Sequence, residues 1–257
     1  MLIIPLLSFK DNYIWCLANQ HSFVCVDPGE AESVIKFSEQ YQLQLTAIFI
    51  THHHDDHITG ISELRKKFPQ IRVYGPADKR ITGLTDIVSE KNIVYMEPYA
   101  FNILETPGHT SSHICYYEAN TCWLWCGDTL FSAGCGRVFD GNMKQLFNSL
   151  QRLKTLPDHT QIFCGHEYTR QNLLFAATIE PNNRAIKRHQ EKLALSNDCS
   201  LPSTLALEKA INPFLRTNKP NIKEFAQTNN IDSNDEFAIF VYLRTLKDQF
   251  KLNTLNL

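Results

Sequence analysis

The sequence has little net charge and no long apolar run. Its 25 lysines and arginines nearly balance 27 aspartates and glutamates, which leaves a formal net charge of −2. A chain without an excess of positive charge has no general attraction for nucleic acid or for an acidic membrane surface. No apolar stretch approaches the roughly 20 residues that span a bilayer. We therefore expect neither a nucleic-acid partner nor membrane insertion.

A secretory signal is also missing from the sequence. The opening MLIIPLL is short, has no basic segment, and is not followed by a cleavage site. A cytoplasmic, reducing location is the expectation. Most of the eight cysteines lie in apolar runs such as FVCVDP and CWLWCGD, where free thiols behave as small hydrophobic side chains. Cys122 and Cys126 are four positions apart, but no second pair accompanies them at the spacing of a zinc ribbon.

The length and composition are those of an ordinary globular protein. The 257 residues are 43% apolar and 20% charged, enough for one large domain or for a main domain with an appendage. Short β-like runs fill the first two thirds, with helices predicted near residues 30–41, 56–68 and 143–155. From about Arg170 onward only helical patterns follow, without a linker rich in proline, glycine or serine. We predict an α+β fold with domains at 1–168 and 169–257, the second of them helical.

One stretch stands apart from this ordinary composition. THHHDDHITG (residues 51–60) follows the apolar run LTAIFI, so its titratable side chains lie where a buried strand ends and a helix begins. His52 and His54 alternate in an extended turn and can project to one side, and Asp56 and His57 form a second adjacent pair. A lone H-x-H is usually incidental, but four candidate ligands in six residues predict a metal site.

Three further candidates follow strands later in the chain. They are His109 in ETPGHTSSH, Asp128 in WLWCGDTLF and His166 in IFCGHEY. Taken singly, each is more often a surface-loop residue than a ligand. Together with the first motif they supply the seven groups of a two-metal site.

The pattern resembles that of the metallo-β-lactamase superfamily, whose fold is an αββα sandwich with metals at one edge of the paired sheets. The resemblance implies that His52, His54 and His109 bind the first metal. It likewise implies that Asp56, His57 and His166 bind the second, and that Asp128 bridges the two. His/Asp sets accept several divalent ions. Zinc is our first expectation for both ions, with iron and manganese as alternatives.

A longer set of motifs resembles the glyoxalase II family, whose members are hydroxyacylglutathione hydrolases. The stretches run from residue 11 to residue 251 and are DNYIW, THHHDDH, TPGHTSSH, GDTLFSAGCGR, CGHEYT, NPFLR and LKDQFK. The resemblance implies hydrolysis of S-D-lactoylglutathione to D-lactate and glutathione, the second step of methylglyoxal detoxification. A metal-bridging hydroxide would attack the thioester, with Asp56 and Asp128 as catalytic residues. No cysteine nucleophile is needed, so Cys135 and Cys164 are expected only to pack.

The same resemblance implies the contacts to the glutathione part of the substrate. These fall on Arg137, Tyr168, Arg244 and Lys247, and an arginine fork suits the carboxylates of glutathione. From the sequence alone, a cation on a C-terminal helix is more often simply solvated. This chain has Phe139 where many members of the family have tyrosine, so any hydrogen bond from that hydroxyl is lost.

Two other functions stay open at this point. One is a mononuclear iron persulfide dioxygenase on the same scaffold, against which the full second ligand group argues. The other is a binding module without catalysis, which should have lost at least one ligand position. The sequence does not indicate the acyl preference or the oligomeric state, for which a monomer is the working expectation.

Overall fold

Two six-stranded sheets form the centre of the computed structural model, which describes residues 1–196 and 198–250. The first sheet contains β1 (Leu2–Ser8), β2 (Asn12–Ala18), β3 (Ser22–Val26), β4 (Gln44–Phe49), β5 (Arg72–Gly75) and β6 (Asp86–Ile87), in that order. The second contains β7 (Ile93–Met96), β8 (Tyr99–Glu105), β9 (Ile114–Glu118), β10 (Trp123–Gly127), β13 (Gln161–Cys164) and β14 (Ser203–Thr204). A separate hairpin joins β11 (Leu130–Phe131) to β12 (Gly134–Cys135).

The direction of the strands changes within each sheet. In the first sheet β1, β2 and β3 are antiparallel, whereas β3 to β6 run parallel. In the second sheet β7 to β10 form an antiparallel meander, which ends in a hairpin between β9 and β10. Strand β13 then pairs parallel with β10, so the two strands end at the same edge.

The larger apolar core lies between the two sheets. Phe49 of β4 stacks on Tyr116 of β9 with ring centroids 4.7 Å apart, and Trp15 of β2 meets Phe163 of β13 at 5.1 Å. Large aromatic side chains of this kind dominate the energetics of a core. The alternate side chains of β2, such as Ile14, face a second cluster outside the first sheet. Strand β2 is therefore buried on both faces.

Four helices accompany the sheets: α1 (Glu32–Tyr41), α2 (Asp55–Ile58), α3 (Ile61–Lys67) and α4 (Met143–Lys154). Helices α1 and α3 cover the outer cluster of the first sheet, and α4 packs through Leu146, Leu150 and Leu153. The predicted αββα sandwich and the α+β class are confirmed. The helix expected over 56–68 is instead interrupted, because the amide of Gly60 donates to the carbonyl of Pro28 rather than within the helix.

The last third of the chain is helical, as predicted. It contains α5 (Thr169–Ile179), α6 (Arg184–Ala194), α7 (Leu205–Ile211), a 3₁₀ turn (Pro213–Leu215), α8 (Pro220–Thr228) and α9 (Glu236–Gln249). One departure is β14, which adds a short strand to the second sheet. Phe175, Phe214 and Phe240 share the larger core with the sheets, so the helices pack directly on the sandwich. The division at residue 168 stays a prediction. Within the described residues, no helix has the length and apolarity to cross a membrane.

One edge of the sandwich gathers the segments that the sequence singled out. The carboxyl ends of β4, β8, β10 and β13 all open there, each into a loop that bears histidine or aspartate. Backbone hydrogen bonds join the sheets at this edge, from Tyr13 to Gly165 (2.8 Å) and from Ile114 to Thr51 (3.0 Å). The chain therefore brings four separate loops to one place.

Candidate metal centre

Three of the predicted ligands converge at the end of β4. The Nε2 atom of His52 lies 3.0 Å from Nδ1 of His54, which in turn lies 3.1 Å from Nε2 of His109. Each of the three residues offers one ring nitrogen, and these three nitrogens lie within 4.8 Å of one another. An H-x-H pair in an extended segment puts both rings on one side, as predicted, and the loop after β8 adds the third. This first group can hold one metal ion.

A second group lies beside the first. Nε2 of His57 is 3.6 Å from Oδ2 of Asp56, and Nε2 of His166 is 3.4 Å from the same oxygen. These three side chains also offer ligand atoms within 4.8 Å of one another. Asp56 and His57 come from α2, and His166 comes from the loop after β13.

Asp128 lies between the two groups. Its Oδ2 is 3.6 Å from Nε2 of His109 in the first group and 3.3 Å from Nε2 of His166 in the second, while its Oδ1 is 3.5 Å from Nε2 of His57. Within the described residues, Asp128 Oδ1 and His57 Nε2 are buried without a hydrogen-bond partner. Buried polar atoms of this kind need an explanation. A cation between the groups fits them.

The protonation states suit such an ion. Burial lowers the pKa of His52 well below its ordinary value, and burial together with His109 lowers that of His54 to about 4, so both rings are neutral and carry a lone pair. Burial alone would raise the pKa of Asp128, but the imidazoles of His166 and His57 outweigh it and lower that pKa. The carboxylate of Asp128 is therefore ionised.

Sequence reasoning missed the carboxylates behind the ligands. Oδ1 of Asp11 lies 3.0 Å from Nδ1 of His166, and Oδ2 of buried Asp27 lies 3.1 Å from Nδ1 of His57. Such partners fix the orientation of a ligating imidazole and increase its basicity. Asp11 stands in the DNYIW motif, but a single aspartate in a loop carries no local mark of this role.

His113 was missed as well, although it closes the TPGHTSSH motif. Its ring is buried and stacks on that of His52 with centroids 5.0 Å apart, and its Nε2 accepts the amide of Asp128 at 3.2 Å. His113 thus fixes the backbone of Asp128, and it is not a member of the ligand groups. His53 and Asp55, the other two titratable residues of the THHHDDH motif, are not in the ligand groups.

Two glycines are required by close approach. A Cβ on Gly165 would lie 2.6 Å from Oδ1 of Asp128, and one on Gly127 would lie 2.3 Å from the hydroxyl of Thr51. Gly127 also has a φ of 45°, in the left-handed region that L side chains rarely adopt. The strand ends therefore carry no side chains where the ligands pack.

A cavity of about 420 Å³ opens onto the ligands. Its lining includes all four residues predicted to contact glutathione: Arg137, Tyr168, Arg244 and Lys247. The ring of Tyr168 stacks on His166 with centroids 4.6 Å apart. The structure thus brings the predicted substrate residues to the same cavity as the predicted ligands, and their roles stay predictions.

The residues predicted to contact glutathione differ in their exposure and in the contacts they already make within the protein. Arg137 is exposed and donates from Nε to Oδ1 of Asp248 at 3.2 Å. Arg244 is buried, and its guanidinium donates to the carbonyl of Cys135 at 2.9 Å and to the same oxygen of Asp248 at 2.9 Å. Within the described ranges, only its Nε is buried and unpartnered. Lys247 lies with its Nζ 5.6 Å from the ring centroid of Phe175.

The cysteines near the motifs do not reach this chemistry. All eight cysteines have free thiols, and Cys135 and Cys164 are buried. Burial raises the pKa of both thiols, so neither provides a thiolate.

Comparison with known proteins divides the chain into two consecutive matches. A model of the metallo-beta-lactamase superfamily matches residues 14–166, and a model described as the hydroxyacylglutathione hydrolase C-terminus matches residues 167–250. The superfamily match and the converging histidines and aspartates together indicate a divalent metal centre.

Individual relatives match over nearly the full length. A hydroxyacylglutathione hydrolase of Legionella pneumophila (strain Lens) is 49% identical over 254 residues, which are 98% of this chain and 100% of the relative. Another, from Aliivibrio salmonicida, is 44% identical over 97% of this chain and 100% of its own length. The solved structure of ETHE1 from Myxococcus xanthus is similar at a TM-score of 0.68 and 26% identity, covering 95% of this chain and 90% of that one.

Proposed function

We propose a two-metal thioesterase mechanism for this chain, which belongs to the hydroxyacylglutathione hydrolase family of the metallo-β-lactamase superfamily. Its reaction is the hydrolysis of S-D-lactoylglutathione to D-lactate and glutathione. The observation that carries the mechanism is the position of Asp128, whose carboxylate lies 3.6 Å from Nε2 of His109 in the first ligand group and 3.3 Å from Nε2 of His166 in the second. A carboxylate can serve two cations in this way, which a histidine cannot.

The residues fit two divalent ions. His52, His54 and His109 would hold the first, whereas Asp56, His57 and His166 would hold the second, with Asp128 shared. We propose zinc for both, since imidazole and carboxylate ligands suit it, with iron and manganese as the alternatives. When bound, two such ions supply a water of lowered pKa as nucleophile and a Lewis acid for the thioester carbonyl.

The chain's own groups orient this chemistry. Asp11 and Asp27 hold the rings of His166 and His57 through their Nδ1 atoms. Asn12 donates from Nδ2 to Oδ2 of Asp56 at 2.8 Å, which fixes the one ligand carboxylate whose side chain is substantially exposed. We propose that Asp56 orients the nucleophilic water by accepting its hydrogen bond. The leaving group is the glutathione thiolate. Because the pKa of a thiol is ordinarily about 8.5, the thiolate can leave without protonation by the enzyme.

Substrate binding falls to the basic side of the cavity. Glutathione carries two carboxylates, and three cations line the cavity there: Arg137, Arg244 and Lys247. The unpartnered Nε of Arg244 is a further donor in the described part of the chain, and Tyr168 adds a hydroxyl beside His166. A monomeric state and a cytoplasmic location stay predictions.

The test measures thioester hydrolysis and metal content on the same sample. We expect rapid loss of the thioester absorbance of S-D-lactoylglutathione, close to two ions per chain, and loss of both on treatment with a chelator. Two ions without turnover would contradict the substrate assignment and direct the search to other thioesters. A single iron with oxygen uptake would favour the persulfide dioxygenase.

The bridging role of Asp128 has its own variant. Asp128→Ala should lose metal and nearly all turnover, because neither ligand group keeps its shared carboxylate. An Asp128→Ala protein that retained two ions and activity would exclude the bridge. Asp158→Ala, at an exposed carboxylate paired with Lys209, serves as the matched control.

A further inference from the structure

A closed ring of ionic and hydrogen-bonded contacts lies beside the metal centre. Arg80 donates from Nη2 to Asp78 at 2.7 Å and from Nη1 to Asp140 at 2.6 Å. The hydroxyl of Ser112 donates to Asp78 at 2.6 Å, and the amide of Ser111 donates to Asp140 at 3.0 Å. Since Ser111 and Ser112 are neighbours in the chain, the ring joins three loops that are far apart in sequence.

The ring includes two residues of the loop that carries His109, Ser111 and Ser112. Ser111 and Ser112 follow His109 after Thr110, and the loop is closed by a hydrogen bond from the amide of Thr106 to the carbonyl of His113 at 2.9 Å. Any movement of Asp78 or Asp140 is therefore passed to a segment two residues from a predicted ligand.

Asp140 also acts on His109 from the other side. The residue before it is Phe139, whose amide donates to the carbonyl of His109 at 3.0 Å. Nδ1 of His109 lies 2.7 Å from the carbonyl of Arg137. This contact fixes the edge of the imidazole that points away from the ligand group. The loop of residues 137–140 thus holds both the backbone and the imidazole of His109.

Asp78 of the ring also lies near His53, the residue between the other two predicted ligands of the first group. This histidine stands between His52 and His54, and its Nδ1 lies 3.6 Å from Oδ2 of Asp78. Its side chain is only 13% exposed. His53 is the member of the HHH run that the ligand groups do not use, and within the described residues its Nδ1 is buried without a hydrogen-bond partner.

Arginine is the residue type that suits the centre of such a ring. An exposed ion pair by itself adds little to stability, and the side chain of Arg80 is 47% exposed. A planar guanidinium can, however, hold two carboxylates at a fixed separation, which the point charge of a lysine cannot do. Asp78 is the buried partner, with a side chain 6% exposed.

We propose that Arg80 is a positioning residue for the first ligand group, acting through Asp78 and Asp140. These two carboxylates hold Ser112 and Ser111 of the loop that carries His109, so Arg80 sets the place of that ligand. The proposal rests on the two-metal function proposed above.

The experiment compares Arg80→Gln and Arg80→Lys with Arg72→Gln. Arg72 is the matched control. It donates two hydrogen bonds to Asp86, as Arg80 does to its aspartates, but it lies at the exposed end of the first sheet. The stepwise affinities for zinc are measured by chelator competition, and the visible spectrum of the cobalt(II)-substituted protein reports the ligand geometry. Unfolding of each metal-free variant shows whether it is folded.

We expect Arg80→Gln to bind one of the two ions about 10- to 100-fold more weakly, the usual effect of removing an outer partner of a metal ligand. The other ion should keep its affinity, the cobalt spectrum should change, and kcat should fall more than KM rises. Arg80→Lys should restore part of the loss, and Arg72→Gln should behave as the wild type. Asp140→Asn opens the same ring from its exposed side and should reproduce the effect if Arg80→Gln does not fold.

Wild-type affinities and an unchanged cobalt spectrum in both Arg80→Gln and Asp140→Asn would overturn the positioning role alone. A wild-type protein that bound no metal would overturn this proposal together with the proposed function. The two failures are therefore distinguishable.

Discussion

The carboxylate of Asp11 lies 3.0 Å from Nδ1 of His166, whose other ring nitrogen lies 3.3 Å from the bridging Asp128. The imidazole is thus held between two carboxylates that are far apart in the sequence, one near the amino terminus and one in the middle of the chain. Because Asp11 precedes β2 and His166 follows β13, this pair also ties the two sheets together at the edge where the site lies. The backbone bridge between Asn12 and His166 has the same effect.

Removal of Asp11 should weaken the second metal group. Asp11→Ala frees the Nδ1 side of His166, and an outer carboxylate of this kind contributes about 10- to 100-fold to metal affinity or activity. Chelator competition and kcat, measured on the same preparations, check the effect. Asp158→Ala again provides the control, and equal affinities in the two variants would show that Asp11 does not orient the ligand.

Substrate binding should weaken as the pH rises through about 8. Burial, and then the nearby cation of Arg244, lower the pKa of Lys247 to about 8, so its ammonium group is present below that pH and lost above it. The inhibition constant of an S-alkylglutathione should therefore increase by about tenfold one pH unit above the pKa, since a hydrogen bond to a charged group is lost. In Lys247→Arg the charge does not titrate, so that part of the pH dependence should disappear. The same slope in both proteins would remove Lys247 from the binding site.

Phe139 offers a gain-of-function test at the rim of the cavity. Its ring is exposed and lies 4.8 Å from the ring of His54 and 5.2 Å from that of His109. Phe139→Tyr adds a hydroxyl at the rim of the cavity, and one hydrogen bond of about 0.5–1.5 kcal/mol should lower KM by about 2- to 10-fold. We expect kcat to change little. Phe139→Leu, which cannot donate, should show no decrease in KM.

Glu208 should contribute to stability rather than to chemistry. It is fully buried on α7, where its carboxylate accepts the hydroxyl of Ser132 at 2.8 Å and the amide of Ala133 at 2.7 Å. Glu208→Ala leaves both donors unpaired, which should lower the free energy of unfolding by about 2–4 kcal/mol. Urea denaturation of the metal-free protein measures this loss. Glu224→Ala, at an exposed position of α8, should stay within about 0.5 kcal/mol of the wild type.

Much of the fold could be predicted from local pattern. The strands of both sheets that are four or more residues long, and the helical last third, follow from apolar periodicity and turn residues. The two-residue strands β6, β11, β12 and β14 were not predicted, because so short a pairing leaves no periodic signal. The interruption of the helix at Gly60 depends on Pro28, a residue 32 positions away, which no local window contains.

The candidate ligands were predictable for the opposite reason. His52, His54, Asp56 and His57 lie within six residues, and His109, Asp128 and His166 each follow an apolar run that ends in a turn or a glycine. Costly titratable groups at the ends of buried strands are marked in the sequence itself, because a chain has little other reason to place them there.

The sequence by itself therefore determined the chemistry available to this protein: seven ligand-type side chains, a strand-rich frame for them and a helical tail that bears cations. Only the tertiary structure decided which groups stand behind them. These groups are polar residues in separate loops, namely Asp11, Asp27, His113 and the members of the ring around Arg80. No local pattern in the sequence indicates which side chain each of them contacts. Their roles come from distances across the paired sheets, and such distances are set by strand register and by the packing of the shared core, which act between segments far apart in sequence.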